Sequence, residues 1–123
     1  MTRIGELDHA DVKYLEMCFF RYDDYKKVLN SKDNSQYSEV QKEKMKVKCD
    51  AIDHIFEIAT PELRGILKMM YFDAKVYRNK FGKLIIEREH VNTMSEVLGI
   101  SVRKIHAMKR KAIKKYADLI VYV

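Results

Sequence analysis

Hydrophobic residues recur at helical spacing along most of the chain, and the first such series lies near the N-terminus. It fits one face of a helix that begins near Asp8 or Asp11 and ends at about Asn30. The members of the series are Val12, Leu15, Phe19, Tyr22 and Leu29. The pattern therefore predicts one long first helix, and the aromatic residues beside the series indicate burial on several sides or exposure to a partner.

Two more helices are predicted between residues 38 and 72. The polar residues 31–36 predict a loop, and a second helix is expected over 38–59. The third helix starts at Thr60, whose hydroxyl suits an N-cap, and Pro61 suits the first helical position. Apolar residues then repeat at helical spacing, so we expect this helix to end near Phe72.

The stretch over residues 73–91 is the least regular part of the sequence. Residues 76–78 and 83–86 can pair as a β-hairpin, while a helical extension or a mobile loop fits them about as well. As a hairpin, this basic stretch can form a wing that contacts an anionic partner. Downstream, residues 93–96 (Thr-Met-Ser-Glu) fit a capping box, although a helix start near Glu87 is an alternative.

The C-terminal third has the pattern of a short helix, a tight turn and a long basic helix. Gly99 suits the left-handed backbone that ends a helix. Ile100 can fill the angle between two helices, and Ser101 offers a hydroxyl that caps the second one. This is the layout of a helix-turn-helix, whose second helix lies in the DNA major groove.

The predicted second helix of this pair has two opposite faces. One sector of ~80° is apolar and is expected to pack on other helices. It contains Ile105, Met108, Ala112, Tyr116 and Leu119. The opposite sector of ~100° contains Arg103, His106, Ala107, Arg110 and Lys114. Seven Lys or Arg and no acidic residue lie between Arg103 and Lys115, and such a surface favours a polyanion.

Charge divides the chain into two halves. Residues 1–59 carry 10 basic and 12 acidic side chains, whereas residues 60–123 carry 14 basic and 6 acidic ones. We therefore predict an N-terminal helical region over 1–59, for support, association or partner binding, and a DNA-binding region over 60–123. The expected fold class is all-α: an N-terminal helical pair and then the helix-turn-helix, with a small β-hairpin or loop at about 74–88.

The sequence lacks the patterns that are typical of several other classes of protein. No apolar run approaches the ~20 residues of a membrane span, and the N-terminus lacks the apolar segment of a signal peptide, so we expect a cytoplasmic protein without membrane contact. Cys18 and Cys49 are expected to be reduced and buried. The four histidines lack ligand spacing, so no metal or other cofactor is expected. Phosphate-binding and nucleophile motifs are missing, which argues against an enzyme.

Three features of the second half occur in a familiar order. Residues 61–72 form the predicted third helix, residues 98–101 read Leu-Gly-Ile-Ser, and Ile105 is followed by the basic run 109–113. Together they resemble the C-terminal helix-turn-helix region of bacterial sigma factors, which implies a sigma-like DNA-binding end.

The first half narrows this resemblance. The residues that carry it are Val12, Leu15, Glu16, Tyr22, Tyr25 and Leu29. They resemble the N-terminal helix of RinA-type phage transcriptional activators, to which ArpU-type regulators are related. The resemblance implies an activator of phage late genes, such as packaging and morphogenesis genes, that acts with RNA polymerase in the cytoplasm of a Gram-positive host. The stretch from 73 to about 90 is longer than in these groups, which leaves room for an extra DNA or polymerase contact.

These observations predict a sequence-specific transcription regulator that binds double-stranded DNA. Arg103, His106 and Arg110 are expected to read base edges, and Ala107 to allow close approach or to meet a thymine methyl. The residues expected to hold phosphates and set the register are Ser101, Lys104, Lys109, Lys111, Lys114 and Lys115. Val102, at the helix start, completes the predicted DNA-binding set; for Lys114 and Lys115 a solvated side chain fits equally well.

A protein-interaction adaptor is the competing hypothesis. The aromatic first helix and the five apolar residues 119–123 fit a module that binds RNA polymerase or another regulator with little DNA contact, and the apolar end also fits a homodimer. A steep fall of DNA affinity with salt favours DNA binding, because phosphate contacts release counterions. A salt-insensitive polymerase complex without DNA binding favours the adaptor.

Overall fold

The computed structural model of the protein describes residues 7–33 and 35–120. Most of these residues are helical, and they include one two-stranded antiparallel sheet. The helices are α1 (His9–Phe20), α2 (Tyr22–Asn30), α3 (Glu39–Ile58), α4 (Pro61–Leu67), α5 (Val91–Leu98) and α6 (Val102–Leu119). The strands are β1 (Lys75–Arg78) and β2 (Leu84–Glu87). A predominantly helical fold with a small hairpin is therefore confirmed.

The chain folds as two compact units. One contains the residues up to Ile58 and those from Ile113 onward, and the other runs from Ala59 to Ala112. This division differs from the predicted one after residue 59, because the end of α6 belongs with α1, α2 and α3. The physical reason is burial: the Tyr116 ring lies in this interior, with its centroid 4.9 Å from that of Phe19 in an edge-on contact.

The first predicted helix starts and ends where expected but is interrupted. Asp8 caps it, since its carboxylate accepts the N–H of Asp11 at 2.8 Å and the reciprocal bond is also present. The prediction of one continuous helix was wrong, because the backbone at Arg21 (φ −92°, ψ 3°) separates α1 from α2. Neither Gly nor Pro stands at this position, so the sequence carried no signal for the break. Where a pair was expected, the described part of the N-terminal region contains three helices.

Helix α3 closely matches its predicted extent. Ser38 and Gln41 form a reciprocal capping box at its start. The interior side of α3 includes Cys49, Ile52 and Ile55, each at most 2% exposed. Both cysteines, Cys18 and Cys49, are reduced and buried, as predicted.

In the other unit, α4 begins as the sequence indicates and ends irregularly. The Thr60 hydroxyl accepts the N–H of Leu63 at 3.2 Å, and Pro61 is the first helical residue. The last turn, Lys68–Phe72, is a π-helix that closes with a bond from the N–H of Asp73 to the carbonyl of Lys68. The helical stretch ends at Phe72, as predicted, but its widened last turn was not foreseen.

The irregular stretch after α4 is a β-hairpin, which decides between the three alternatives. Its register pairs Lys75 with Glu87 and Arg78 with Leu84. The interior of this unit lies elsewhere, among α4, the π turn, α5 and the start of α6. The interior residues include Ile66, Leu67, Met70, Met94 and Ile105.

The start of α5 corrects the prediction for this region. His90 is the N-cap, because its Nδ1 accepts the N–H of Asn92 at 3.1 Å. The capping box over 93–96 was wrong, and so was the start near Glu87, which pairs in β2. Strand pairing keeps Glu87 extended and delays the helix.

The apolar C-terminus is described only in part. Leu119 and Ile120 are half-buried, whereas residues 121–123 of the predicted apolar end lie outside the described residues. Among the residues that are described, no helix combines the length and apolar character needed to cross a bilayer.

Candidate nucleic-acid interface

The turn between α5 and α6 has the predicted backbone geometry. Gly99 is left-handed, with φ 67° and ψ 31°, and its N–H donates to the carbonyl of Ser95 at 2.9 Å. Ile100 is 7% exposed, and its carbonyl accepts the Ser95 hydroxyl. The turn is therefore closed by hydrogen bonds and anchored by one buried side chain.

The side chain of Ser101 caps α6. Its hydroxyl oxygen accepts the N–H of Lys104 at 3.1 Å, and its carbonyl accepts the N–H of Ile105 at 3.0 Å. The hydroxyl proton stays available as a donor, and the N-terminus of a helix favours an anion through its free N–H groups. Ser101 can thus hold the helix start and also meet a phosphate.

The predicted reading residues lie together on the exposed side of α6. Arg103, His106, Ala107 and Arg110 are all exposed, whereas Ile105 on the opposite side is fully buried. These four residues follow one another at spacings of three, one and three positions. They therefore cover about two turns on one side of the helix. A small Ala107 between two arginines allows another molecule to approach the helix backbone closely.

The predicted phosphate-holding residues are less uniform. Those exposed to solvent are Ser101, Lys104, Lys111, Lys114 and Lys115, whereas Val102 and Lys109 are half-buried. Lys109 lies only ~40° from Ile105 around the helix axis, so the structure places it beside the buried side rather than with the reading residues. Lys111 lies ~120° from Ile105, on the other flank.

An acidic residue lies next to this surface. The Oε2 atom of Glu62, in the first turn of α4, is 3.5 Å from the Nζ atom of Lys104. Both side chains are more than half exposed, so the pair contributes little to stability. Glu62 and Lys104 are far apart in the sequence, so their spacing could not reveal the contact.

The end of α6 has wider burial than the apolar series predicted. Ile113, Tyr116 and Ala117 are all buried, although Ile113 and Ala117 lie ~80° and ~120° from Ile105 around the axis. Lys114 and Lys115 belong to this part of the helix, and hence to the unit that contains α1, α2 and α3.

Burial and neighbouring charges shift the pKa values of several other titratable groups. Burial raises the pKa of the Cys18 thiol, and it raises that of Cys49 to about 11, so both thiols are uncharged near neutral pH and are poor nucleophiles. Burial and the Asp53 carboxylate raise the pKa of Tyr22 to about 12. Over 7–33 and 35–120, no three His, Cys, Asp or Glu side chains are grouped to hold a metal ion.

Comparison of the chain with protein-family models, with curated proteins and with solved structures finds no match. The resemblance to RinA-type activators consequently rests on the residues quoted for it.

Proposed function

We propose that the protein is a sequence-specific DNA-binding transcription regulator, in which α5, its turn and α6 form a helix-turn-helix. The observation that carries the proposal is the exposed side of α6, where Arg103, Ala107 and Arg110 lie together opposite the buried Ile105. No acidic residue interrupts residues 103–115. A helix of this kind behind a closed turn suits the major groove.

The exposed side chains have separate roles in this proposal. Arg103 and Arg110 read guanines through paired hydrogen bonds, His106 reads a neighbouring base, and Ala107 meets a thymine methyl. Ser101, Lys104, Lys111 and Lys114 hold phosphates and set the register, with Lys109 and Val102 at the edge of the contact. Release of Lys104 from Glu62 is part of binding, since a phosphate competes for the same ammonium group.

The kind of regulator follows from the sequence resemblance. RinA-type activators switch on phage late genes, and a protein with this role acts with the RNA polymerase of a bacterial host. The region that carries α1, α2 and α3 is then available for polymerase contact or for association with a second copy.

Binding of duplex DNA as a function of salt tests the proposal. The affinity of the full chain for a fluorescently labelled random duplex, measured by anisotropy, should fall steeply as salt rises. With about four phosphate contacts, the slope of log affinity against log salt should be about −3.6. A flat salt dependence, or no binding at low salt, would contradict the proposal.

A protein-interaction adaptor is favoured by one separate observation. Val40, Val47 and Ile58 on α3 are 65%, 41% and 57% exposed, and they lie within ~20° of one another around the axis. Such an exposed apolar stripe suits a partner helix. Replacing Val40 and Val47 with Ser should leave DNA binding unchanged; if it abolishes a polymerase complex that forms without DNA, the adaptor hypothesis is the better one.

A further inference from the structure

The tip of the β-hairpin has a fixed shape. The Asn79 side-chain oxygen accepts the N–H of Phe81 at 2.9 Å and that of Lys83 at 3.0 Å. The Asn79 backbone also donates to the carbonyl of Lys83 and accepts from the N–H of Gly82. Gly82 is left-handed, with φ 77°. Because these bonds hold the turn, little conformational freedom is left for a partner to remove on binding.

This turn presents an exposed aromatic ring. Phe81 is 82% exposed, and the Lys80 ammonium lies 5.2 Å from the centroid of its ring. A Cβ atom added at Gly82 would meet no atom within 4 Å apart from its chain neighbours, so the space beside this glycine is open. Single exposed apolar residues are common and mean little by themselves. An aromatic ring at the apex of an ordered turn, beside a cation, is a more specific arrangement.

The charged residues within the hairpin, from residue 74 to residue 86, are all basic. Residues 74–86 contain four basic side chains and no acidic one. The basic residues are Lys75, Arg78, Lys80 and Lys83. The Arg78 guanidinium donates to the Gly82 carbonyl at 2.8 Å, so this cation also stiffens the turn. A ligand that suits this tip carries negative charge for the basic residues and a flat apolar surface for the Phe81 ring, with the two close to each other.

We propose that the hairpin tip is a second contact with duplex DNA, in which Phe81 inserts between neighbouring base pairs from the minor groove. Lys80 and Lys83 then meet the phosphates on either side of the opened step. Duplex DNA supplies both requirements, since base pairs lie directly beside charged phosphates, and apolar side chains inserted in this way kink the duplex. The inference rests on the proposed function, because α6 of the same unit supplies the primary duplex contact.

A tryptophan at the tip reports insertion directly. The natural chain contains no Trp, so Phe81→Trp gives a single tryptophan at the proposed wedge, which can be excited selectively over the tyrosines. We expect its emission to be strongly quenched by a random duplex of about three helical turns at low salt, because the indole stacks on bases. The matched control is Tyr14→Trp, an exposed aromatic position on α1. Its emission should stay nearly constant at the same degree of duplex saturation.

Substitutions separate insertion from phosphate contact. Phe81→Ala should weaken duplex binding by roughly 5-fold or more, whereas Phe81→Leu should keep most of the affinity because leucine also serves as a wedge. Energy transfer between dyes at the two duplex ends should show a bend with the natural chain and with Phe81→Leu, but not with Phe81→Ala. Unchanged melting temperatures confirm that the variants stay folded.

The outcomes distinguish this inference from the proposed function. If the natural chain binds no duplex at low salt, the proposed function fails and this inference fails with it. A second outcome is that the natural chain binds the duplex, the emission of Phe81→Trp does not change on binding, and Phe81→Ala binds as tightly as the natural chain. In that case only the wedge is refuted. If Lys80→Ala and Lys83→Ala lose duplex affinity but Phe81→Ala does not, the tip contacts only phosphates. If Phe81→Ala loses affinity for single-stranded DNA but not for the duplex, the tip binds single strands. Both results overturn the wedge.

Discussion

Helix α6 has two parts with different surroundings. From Val102 to Ala112 the buried residues, Ile105 and Ala112, lie on one narrow side of the helix. The opposite side is exposed and basic. From Ile113 onward, burial spreads over Ile113, Tyr116 and Ala117, which cover a far wider arc. One helix thus combines a surface open to a partner with a segment that fills an interior. Apolar spacing located the buried side but did not reveal how its width changes along the helix.

The two compact units also differ in what they bury and what they expose. The interior that contains Phe19 and Tyr116 is aromatic and holds buried polar atoms, including the Tyr116 hydroxyl and the two thiols. The other unit buries Tyr71 among Ile, Leu and Met side chains, and it carries the exposed basic part of α6. We therefore expect substitutions in the aromatic interior to change stability, and substitutions on the exposed part of α6 to change DNA affinity.

The largest effect should come from Tyr116→Ala. Its side chain is fully buried and packs edge-on against Phe19, so truncation should lower the free energy of unfolding by about 3–5 kcal/mol. Urea denaturation measures this. Its matched control is Tyr116→Phe, because the buried hydroxyl has no normal hydrogen-bond partner among the residues that the structure describes, and only the Cys18 thiol lies beside it. The control should be neutral or more stable; a large loss would mean that the hydroxyl makes an important bond.

Next in size is Gly99→Ala, which tests the turn before α6. An alanine in the left-handed conformation costs about 1–2 kcal/mol, and this loss should appear in the free energy of unfolding. Gly99→Asn should lose less, since asparagine tolerates this conformation better. Equal stability of the alanine variant and the natural chain would show that the turn does not need a left-handed residue.

A smaller effect on stability, with a separate effect on binding, is expected at Ser101. Ser101→Ala removes the cap and should cost about 1 kcal/mol. Ser101→Asp keeps a capping oxygen and should retain stability, yet its charge should weaken duplex binding because it faces the proposed phosphate. If Ser101→Asp binds DNA as tightly as the natural chain, the start of α6 does not approach the backbone.

The smallest stability effect should be that of Glu62→Gln. The ion pair with Lys104 is exposed, so its loss should change the free energy of unfolding by less than ~1 kcal/mol. Duplex affinity should rise a few-fold, since a negative charge beside the proposed interface is removed. Asp118→Gln, an exposed acid near the other end of α6, is the matched control and should raise affinity less. Equal gains for the two variants would indicate only a general charge effect.

Much of the fold could be read from the sequence because local signals agreed with tertiary packing. Gly99, Ser101 and Thr60 were assigned to turn and cap positions that the structure contains, since these roles depend on side-chain chemistry close by in the chain. His90 was missed as a cap because strand pairing by Glu87 set where the next helix starts. The break at Arg21 has no local signal, and it could not be predicted from hydrophobic spacing.

The candidate site was predictable to a similar degree. Helical geometry placed Arg103, His106 and Arg110 on one exposed side, because spacing around a regular helix needs no tertiary information. The pairing of Glu62 with Lys104 and the partial burial of Lys109 depend on neighbours distant in the sequence. They therefore emerged only from the structure.

The central claim is that the exposed side of α6 reads base edges, and Arg103→Ala tests it most directly. A preferred duplex is first selected from a random pool with the natural chain, and affinities for it and for a scrambled duplex are then measured at one fixed salt concentration. Loss of the paired hydrogen bonds to guanine should weaken binding to the selected duplex by roughly 5- to 150-fold and spare the scrambled one. Lys111→Ala, on the flank of the same helix, should weaken both duplexes alike and less. If Arg103→Ala weakens both duplexes equally, Arg103 holds a phosphate and the assignment of the reading side of α6 is wrong.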